Sequence, residues 1–566
     1  MKNEIWGVRL LVPGALAASL AITAPVFAQS TTTQATQPAA EASENSESSE
    51  TSEPQIPLHP LGEAVKTALD ASTASGGAAN ARLKAVRAWY ESKGYAPVWL
   101  EDGTVGSRAE EAVFVLLTAH DEALDADDYG ARELFQRLSS VTPETAAKFD
   151  VDLSRALVAF GQHLNAGRVQ PSKINREIVI FPKAVQPAVI MDSLAGTKDT
   201  RNAIKSFAPK TPRYHRMRLH LTHLRLIEAG GGWVSVPEGD VMKPDMVSDR
   251  VPVLRKRLIQ SGELADGAHI GDTYNGAILE AVKKFQTRLG LEPDGVIGPA
   301  TLKALNVTVD QRIRQVELNM ERRRWLQDYY GDHYVFVNLA DQVLKVVKNE
   351  KTVHAAIVQV GKPYHRTPVF SDEMEYVEMN PYWNVPYSIA TKEYLPKLKR
   401  NPYALQSQRI RVIRGGRIVD PGAVPWNSYS RGNFPVRLRQ DSWARNALGR
   451  IKFMFPNKFN VYIHDTPSKR GFSRASRFFS HGCVRVQDPL KLAEVILGDQ
   501  GWSRGQINGA IGTKKRRVVR LKKKIPVHIT YLTSWVNKDG SVYYRNDIYG
   551  RDKILDKALK RARGKI

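Results

Sequence analysis

Between Tyr462 and Arg485 the chain gathers residue types suited to acyl transfer. They are Tyr462-Ile463-His464-Asp465, a loop rich in Ser, Arg and Gly, and then Ser480-His481-Gly482-Cys483-Val484-Arg485. A cysteine nucleophile needs a base to generate its thiolate, positive surroundings to hold it and N–H donors for the developing oxyanion. Cys483 is the one cysteine in the sequence, and His464 and His481 both lie within nineteen residues of it. Gly482 lets the backbone approach a substrate closely and places an amide beside the sulfur. Arg485 is suited to hold a substrate carboxylate or to raise the potential that favours the thiolate. Spacing alone leaves other chemistries open. His464, His481 and Cys483 could ligate zinc, although structural zinc sites supply four protein ligands and usually more cysteine. A papain-like protease would place its cysteine before the histidine and near a helix start, the reverse of the order here.

The elements around this segment set its compartment. Lys2 and Arg9 precede an apolar run from Leu10 to Ala24, and Val26-Phe27-Ala28 puts small residues at the −3 and −1 positions of a cleavage site. This is the layout of a secretory signal over residues 1–28, with an apolar core short for a membrane span; an uncleaved anchor is the alternative. No later run approaches a spanning length, so no stable transmembrane span is expected after cleavage. In an oxidising compartment one cysteine has no partner within its own chain, which favours a chemical role over an inert buried one. The net charge of +24 suits an anionic polymer or membrane surface. No nucleic-acid motif is present, and the export signal argues against that partner.

Residues 29–56 are Ser, Thr, Gln, Ala and Glu with little that is apolar, a disordered linker by composition. Residues 57–245 carry helical periodicity and no catalytic constellation, which predicts a helical scaffold. Ser107 with Glu110 reads as a capping box, and Leu153, Leu157, Phe160 and Leu164 share a helical face that stops at Gly167. Residues 246–308 hold three short helical patterns around Gly290-Leu291-Glu292-Pro293-Asp294-Gly295-Val296-Ile297-Gly298. Residues 309–331 read as a basic connecting helix whose Arg322, Arg323 and Arg324 form a solvated face. Beyond residue 331 the runs Tyr334 to Val337, Val343 to Val347 and Val353 to Val360 read as strands. Lys514 to Arg517 and Lys522 to Lys524 read as a solvated surface, and residues 541–566 as a basic tail.

Two of these segments carry a resemblance. Phe285-Gln286, Gly290-Leu291 and Asp294-Gly295 with Gly298 resemble the small three-helix peptidoglycan-binding domain. His464 followed by Ser480-His481-Gly482-Cys483-Val484-Arg485 resembles the signature of the L,D-transpeptidase (YkuD-domain) family. Asn380-Pro381-Tyr382-Trp383-Asn384-Val385-Pro386, Asn446-Ala447-Leu448-Gly449 and Asp547-Ile548-Tyr549-Gly550-Arg551-Asp552 are similar to its large periplasmic, YcbB-type branch. The family pattern continues Pro-Gly after Arg439-Gln440, whereas this chain has Asp441-Ser442.

The resemblance implies a multidomain α+β protein: helical scaffold, peptidoglycan-binding domain, and a mainly-β, sandwich-like catalytic domain over 332–540 with a capping insertion at about 390–440. It implies Cys483 as acylated nucleophile, His464 as base oriented by a neighbouring carbonyl, His481 and Arg485 on the oxyanion or substrate side, and Ser480 and Gly482 in the same loop. Tyr462, Asp465, Tyr382, Trp383 and Trp426 are candidate substrate-binding positions, each aromatic being as readily packing. The implied reaction joins a tetrapeptide donor stem to a diaminopimelate acceptor through a thioester, in the periplasm of a Gram-negative envelope, without metal or organic cofactor. Carbapenems are the implied inhibitors and cell-wall synthases the implied protein partners. Release of the same thioester by water or a D-amino acid is the alternative enzyme; a wall-binding protein without activity is the non-enzymatic one.

Overall fold

The computed structural model describes residues 57–74, 76–267, 271–326 and 328–564. The expected export segment and linker lie outside them. No described helix is long and apolar enough to cross a membrane.

The first helical region is centred on the 24-residue helix Pro143–Ala166. Leu153, Leu157, Phe160 and Leu164 are buried on one face of it, as their spacing predicts. It stops at Gly167, whose φ is 85° and where a Cβ would come within 2.5 Å of Glu321 Oε1. The expected capping box at Ser107 is not formed. Helix Ser107–Leu117 is capped by Gly106, because a Cβ there would collide with the Glu101 carboxylate, and Ser107 becomes the first helical residue.

The second helical core joins what the sequence divides. Helices Arg250–Gln260, Gly276–Leu289 and Pro299–Leu305 form the expected three-helix unit. Their buried Leu254, Val282 and Phe285 share a core with Met217 and Leu221 of helix Pro212–Ala229 and with Val316 and Met320 of helix Val309–Trp325. That last helix is not the solvated connector expected from its arginines. Arg322 pairs with Asp552 at 2.5 Å, and Arg324 reaches Glu321 at 3.1 Å and the Tyr214 hydroxyl at 2.9 Å. Burial pushes the Arg323 guanidinium down to about 10. Asp552 and Tyr214 are remote in sequence, so local charge density could not disclose that the helix is internal.

The β region closes on itself. We number its strands β1 (His333–Asn338), β2 (Val343–Lys348), β3 (Lys351–Gly361), β4 (Val369–Met379), β5 (Ile451–Met454), β6 (Ile463–His464), β7 (Val484–Val486) and β8 (Arg517–Thr530). Their order is β5-β6-β7-β3-β2-β1-β8-β4, and β4 pairs again with β5. The result is a closed eight-stranded mixed barrel, with β6–β7 and β1–β8 parallel, in place of the expected sandwich. The cause is β4, whose eleven residues are long enough to bond β8 along one edge and β5 along the other. Val337, Val346, Val358, Phe453, Ile463, Val484 and Val527 are among the fully buried side chains of its core.

The capping insertion is a separate small layer. Strands Trp383–Asn384, Ile410–Arg414, Arg417–Val419 and Arg437–Gln440 make one sheet, which begins before the boundary expected from sequence. Leu398, Val412, Trp426, Phe434 and Leu438 form its own core.

The C-terminal segment is folded, contrary to the expected basic tail. Val542–Tyr544 pairs with Ser534–Val536, and helix Arg551–Arg561 buries Leu555 and Leu559 at i, i+4 spacing beneath its charges. The Arg551 side chain is fully buried. It donates to Glu177 at 3.2 Å and to the Thr367 carbonyl at 2.9 Å, and its guanidinium lies 4.9 Å from the Tyr549 ring centre. Replacing Arg551 with Met is therefore expected to cost about 3 kcal/mol of unfolding free energy in urea titration. A loss under about 1 kcal/mol would contradict that anchoring role.

Candidate active site

The barrel register builds the site on its outward face. Directly opposed residues on paired strands share a face. Glu378 on β4 opposes Lys452 on β5, Lys452 opposes His464 on β6, His464 opposes Arg485 on β7, and Arg485 opposes Gln359 on β3. One row of polar side chains thus crosses five strands whose alternate residues, such as Phe453, Ile463 and Val484, are fully buried. Tyr462 and Cys483 each stand two residues before a member of this row, on the same face. His464 and Cys483 are therefore diagonal neighbours on adjacent strands.

Cys483 is half-buried, with its sulfur 3.7 Å from the Asn460 carbonyl. Burial pushes its thiol up, while the N–H and hydroxyl of Tyr462, then Lys452 and Arg485, pull it back. The Tyr462 hydroxyl in turn receives the Trp383 indole N–H. His464 is buried, and its Nδ1 lies 2.5 Å from the Asp465 carbonyl. That bond places the proton on Nδ1 and leaves Nε2 as the basic nitrogen. Burial, followed by Arg485 and Lys452, pushes His464 down to about 3, so it is neutral at ordinary pH.

The loop before β7 is braced from within. Gly482 has a φ of 118°, a conformation that side chains oppose. Its N–H donates to Ser480 Oγ at 3.1 Å, and Ser480 Oγ donates to the Cys483 carbonyl at 2.5 Å. The Gly482 amide is thus engaged by Ser480. Thr367 Oγ1 donates to the Gly482 carbonyl at 2.8 Å. Arg551 and Tyr549 hold Thr367 and its neighbour Gly361 from behind, so the C-terminal segment steadies the cysteine loop.

Other expected site residues are distributed differently. His481 is turned to the cap, with Nε2 3.0 Å from Glu393 and its ring centre 4.8 Å from that of His365. Asp465 is an internal clamp: its carboxylate accepts Arg450 N–H at 2.8 Å and Thr466 N–H at 2.7 Å, and it pairs with Lys469 at 2.5 Å. A Cβ on Gly449 would strike that carboxylate, which accounts for the glycine that ends Asn446-Ala447-Leu448-Gly449. Trp426 is buried in the cap core, its indole donating to Pro421, so it packs and does not line the cleft. Trp383 borders the site through Tyr462, and Tyr382 is partly exposed with the Arg439 guanidinium 4.5 Å from its ring centre. Arg485 is half-buried; its Nη1 lies 3.4 Å from Gln359 and its buried Nε has no protein partner. Among the described residues, no group of three or more His, Cys, Asp or Glu side chains is arranged to hold a metal ion.

Sequence reasoning missed Lys452, Glu378, Thr367 and Gln359. A signal existed for two of them. Val377-Glu378-Met379 and Ile451-Lys452-Phe453 each place one charge between apolar residues of a strand, where alternation assigns it a face of its own.

Comparison with known proteins agrees with this arrangement. Residues 332–529 match the L,D-transpeptidase catalytic domain, residues 84–221 a scaffold domain and residues 247–305 a peptidoglycan binding domain. A Haemophilus influenzae protein whose name assigns it to the L,D-transpeptidases is 31% identical over 259 residues, which is 46% of this chain and 51% of that protein. An N-acetylmuramoyl-L-alanine amidase of Bacillus licheniformis is 36% identical over 67 residues, 12% of this chain and 19% of its own length. The chain thus spans about half the length of the first of these relatives and less of the second. The crystal structure of an L,D-transpeptidase from Stackebrandtia nassauensis is 16% identical, covering 52% of this chain and 96% of that one, at a TM-score of 0.21 that is too low to bear on the fold. With the barrel and its cysteine loop inside the matched region, residues 332–529 belong to the L,D-transpeptidase (YkuD) family, carried in one chain with a scaffold and a peptidoglycan-binding domain.

Proposed function

We propose that this protein is an exported L,D-transpeptidase that cross-links peptidoglycan stem peptides through a thioester on Cys483. The observation that carries this reading is the pairing, on one barrel face, of the sole thiol with a histidine held in one tautomer. The resting pair is a neutral thiol beside a neutral imidazole, so His464 Nε2 acts as a general base. The Cys483 proton passes to His464 as sulfur attacks the carbonyl of the donor residue that precedes the terminal D-alanine. The resulting imidazolium then protonates the leaving D-alanine amine. The side-chain amine of diaminopimelate on a second stem attacks the thioester, His464 takes up that amine's proton, and the thiol is restored. Arg485, with an unpaired donor, is suited to a substrate carboxylate or the developing oxyanion. The peptidoglycan-binding domain supports a wall substrate, and the leader-like N-terminus supports a periplasmic location.

Chromatography and mass spectrometry of muropeptides after incubation with disaccharide-tetrapeptides test this directly. Dimers joined between diaminopimelates are expected from the parent protein and none from Cys483→Ala. His464→Ala is expected to lose at least about 100-fold in rate with its fold intact. Tripeptide without dimers would replace the transpeptidase by a hydrolase.

The depressed His464 also couples stability to pH. Its folded value, about 3, lies below the 6.5 of the free group, so between those values the unfolded chain binds the extra proton. This contribution is harmless above pH 6.5 and increasingly destabilising as pH falls toward 3. Relative to His464→Gln, the parent is expected to lose about 3 kcal/mol in urea titrations between pH 7 and pH 4. Parallel losses in the two proteins would contradict the burial of a neutral imidazole.

A further inference from the structure

At its β4–β5 end the barrel row carries charges that the acyl-transfer scheme leaves unused. Lys452 is held largely out of solvent, its ammonium 4.3 Å from the Tyr462 ring centre and 4.0 Å from the buried Glu378 carboxylate. Glu378 also accepts a hydrogen bond from Arg516, which approaches from the start of β8. Tyr462, which Lys452 underlies, is the residue whose N–H and hydroxyl reach the sulfur. A buried lysine on this strand face is costly unless something uses its charge. One carboxylate placed between Lys452 and Arg516 leaves this end of the row net positive. The charges facing the pair come from each adjoining element: Glu378 and Tyr376 from β4, Tyr462 and His464 from β6, Arg485 from β7, and Arg516 beside β8. Glu393 and His481 lie on the cap side and neutralise each other when His481 is protonated.

We propose that Lys452 is a positioning residue that holds a fixed positive charge near Cys483, kept in place by Glu378, and that this charge eases the loss of the thiol proton on which acylation depends. The proposal rests on the reading of Cys483 as nucleophile and adds what assists it before substrate arrives. His464, neutral and flanked by Lys452 and Arg485, does not supply a resting counter-charge. Lys452 acts by field from a largely buried position against the Tyr462 ring, where a charge is screened less than at the surface. The Glu378 carboxylate has two effects: it anchors the ammonium and it reduces the net positive field at the sulfur. Glutamine at 378 keeps a carbonyl that can hold the ammonium and removes the opposing charge, so substituting Glu378 and removing Lys452 change thiol reactivity in opposite senses.

Alkylation of the full protein by iodoacetamide, followed by intact mass across pH, reads this without substrate, since Cys483 is the only thiol. Lys452→Met is expected to raise the alkylation midpoint by about one pH unit and to slow the reaction near neutrality about tenfold. Lys452→Arg is expected to restore both. Glu378→Gln is expected to lower the midpoint, the direction that a loosened fold would not produce selectively. A Lys452→Met midpoint equal to that of the parent, or a shift of both variants in the same direction, would overturn the proposal. Should Lys452→Met fail to fold, an unchanged or raised midpoint in Glu378→Gln overturns it alone. Because alkylation needs no peptidoglycan, the expected shifts in a protein that forms no muropeptide dimers would support this role while removing the transpeptidase reading.

Discussion

Closure of the barrel is the constraint on which the site depends. When β4 bonds both β8 and β5, the register of every strand between them is fixed, and a slip of one residue would turn each polar side chain of the row into the core. Phe453, Ile463 and Val484 forbid that slip because each is fully buried between the polar positions. The hydrophobic interior thereby specifies which side chains face outward. Glu378, Lys452, His464, Arg485 and Gln359 come into one line because their neighbours must be inside, and Cys483 and Tyr462 take their places one step along the same face.

A second layer of the structure keeps the cysteine loop from relaxing. Gly482 lies at a φ of 118°, and its carbonyl is fixed by Thr367 while Ser480 bridges its N–H and the carbonyl of Cys483. Thr367 is held by Arg551, and the Tyr549 hydroxyl donates to Gly361, to which Thr367 also bonds. The last helix therefore serves the reaction site from the far side of the chain's sequence. The same helix meets Arg322 of the buried Val309–Trp325 helix through Asp552, which also accepts the Thr533 hydroxyl. One charged segment near the C-terminus so ties the helical regions to the barrel.

What could be read from the sequence follows the range of the interactions involved. Helix Pro143–Ala166, the three-helix unit and β1 to β3 are fixed by local periodicity, and all were legible. The cluster from His464 to Arg485 was legible because its residues are near in sequence, and the neighbouring carbonyl that orients His464, here that of Asp465, was implied by the family resemblance. The barrel was not, because closure depends on one strand pairing twice with segments more than seventy residues away. Arg322 reads as solvent-facing because its acid, Asp552, lies far along the chain, and Arg551 reads as part of a basic tail because Glu177 is farther still; charge alone does not report burial. Asp465 and Trp426 were misassigned to substrate for a related reason: a polar or aromatic residue beside a reactive cluster is as often a brace as a contact. Gly449 held a clue for Asp465, since its positive φ and the carboxylate behind it both exclude a side chain there.

The central claim is that Cys483 becomes covalently acylated by a stem peptide. Intact mass spectrometry of the full protein incubated with disaccharide-tetrapeptide, beside Cys483→Ala, measures that event itself. The account predicts an adduct equal to the donor less its terminal D-alanine, present on the parent protein and missing from Cys483→Ala. An adduct that persists in Cys483→Ala would contradict it, as would no adduct on a folded parent that still binds peptidoglycan.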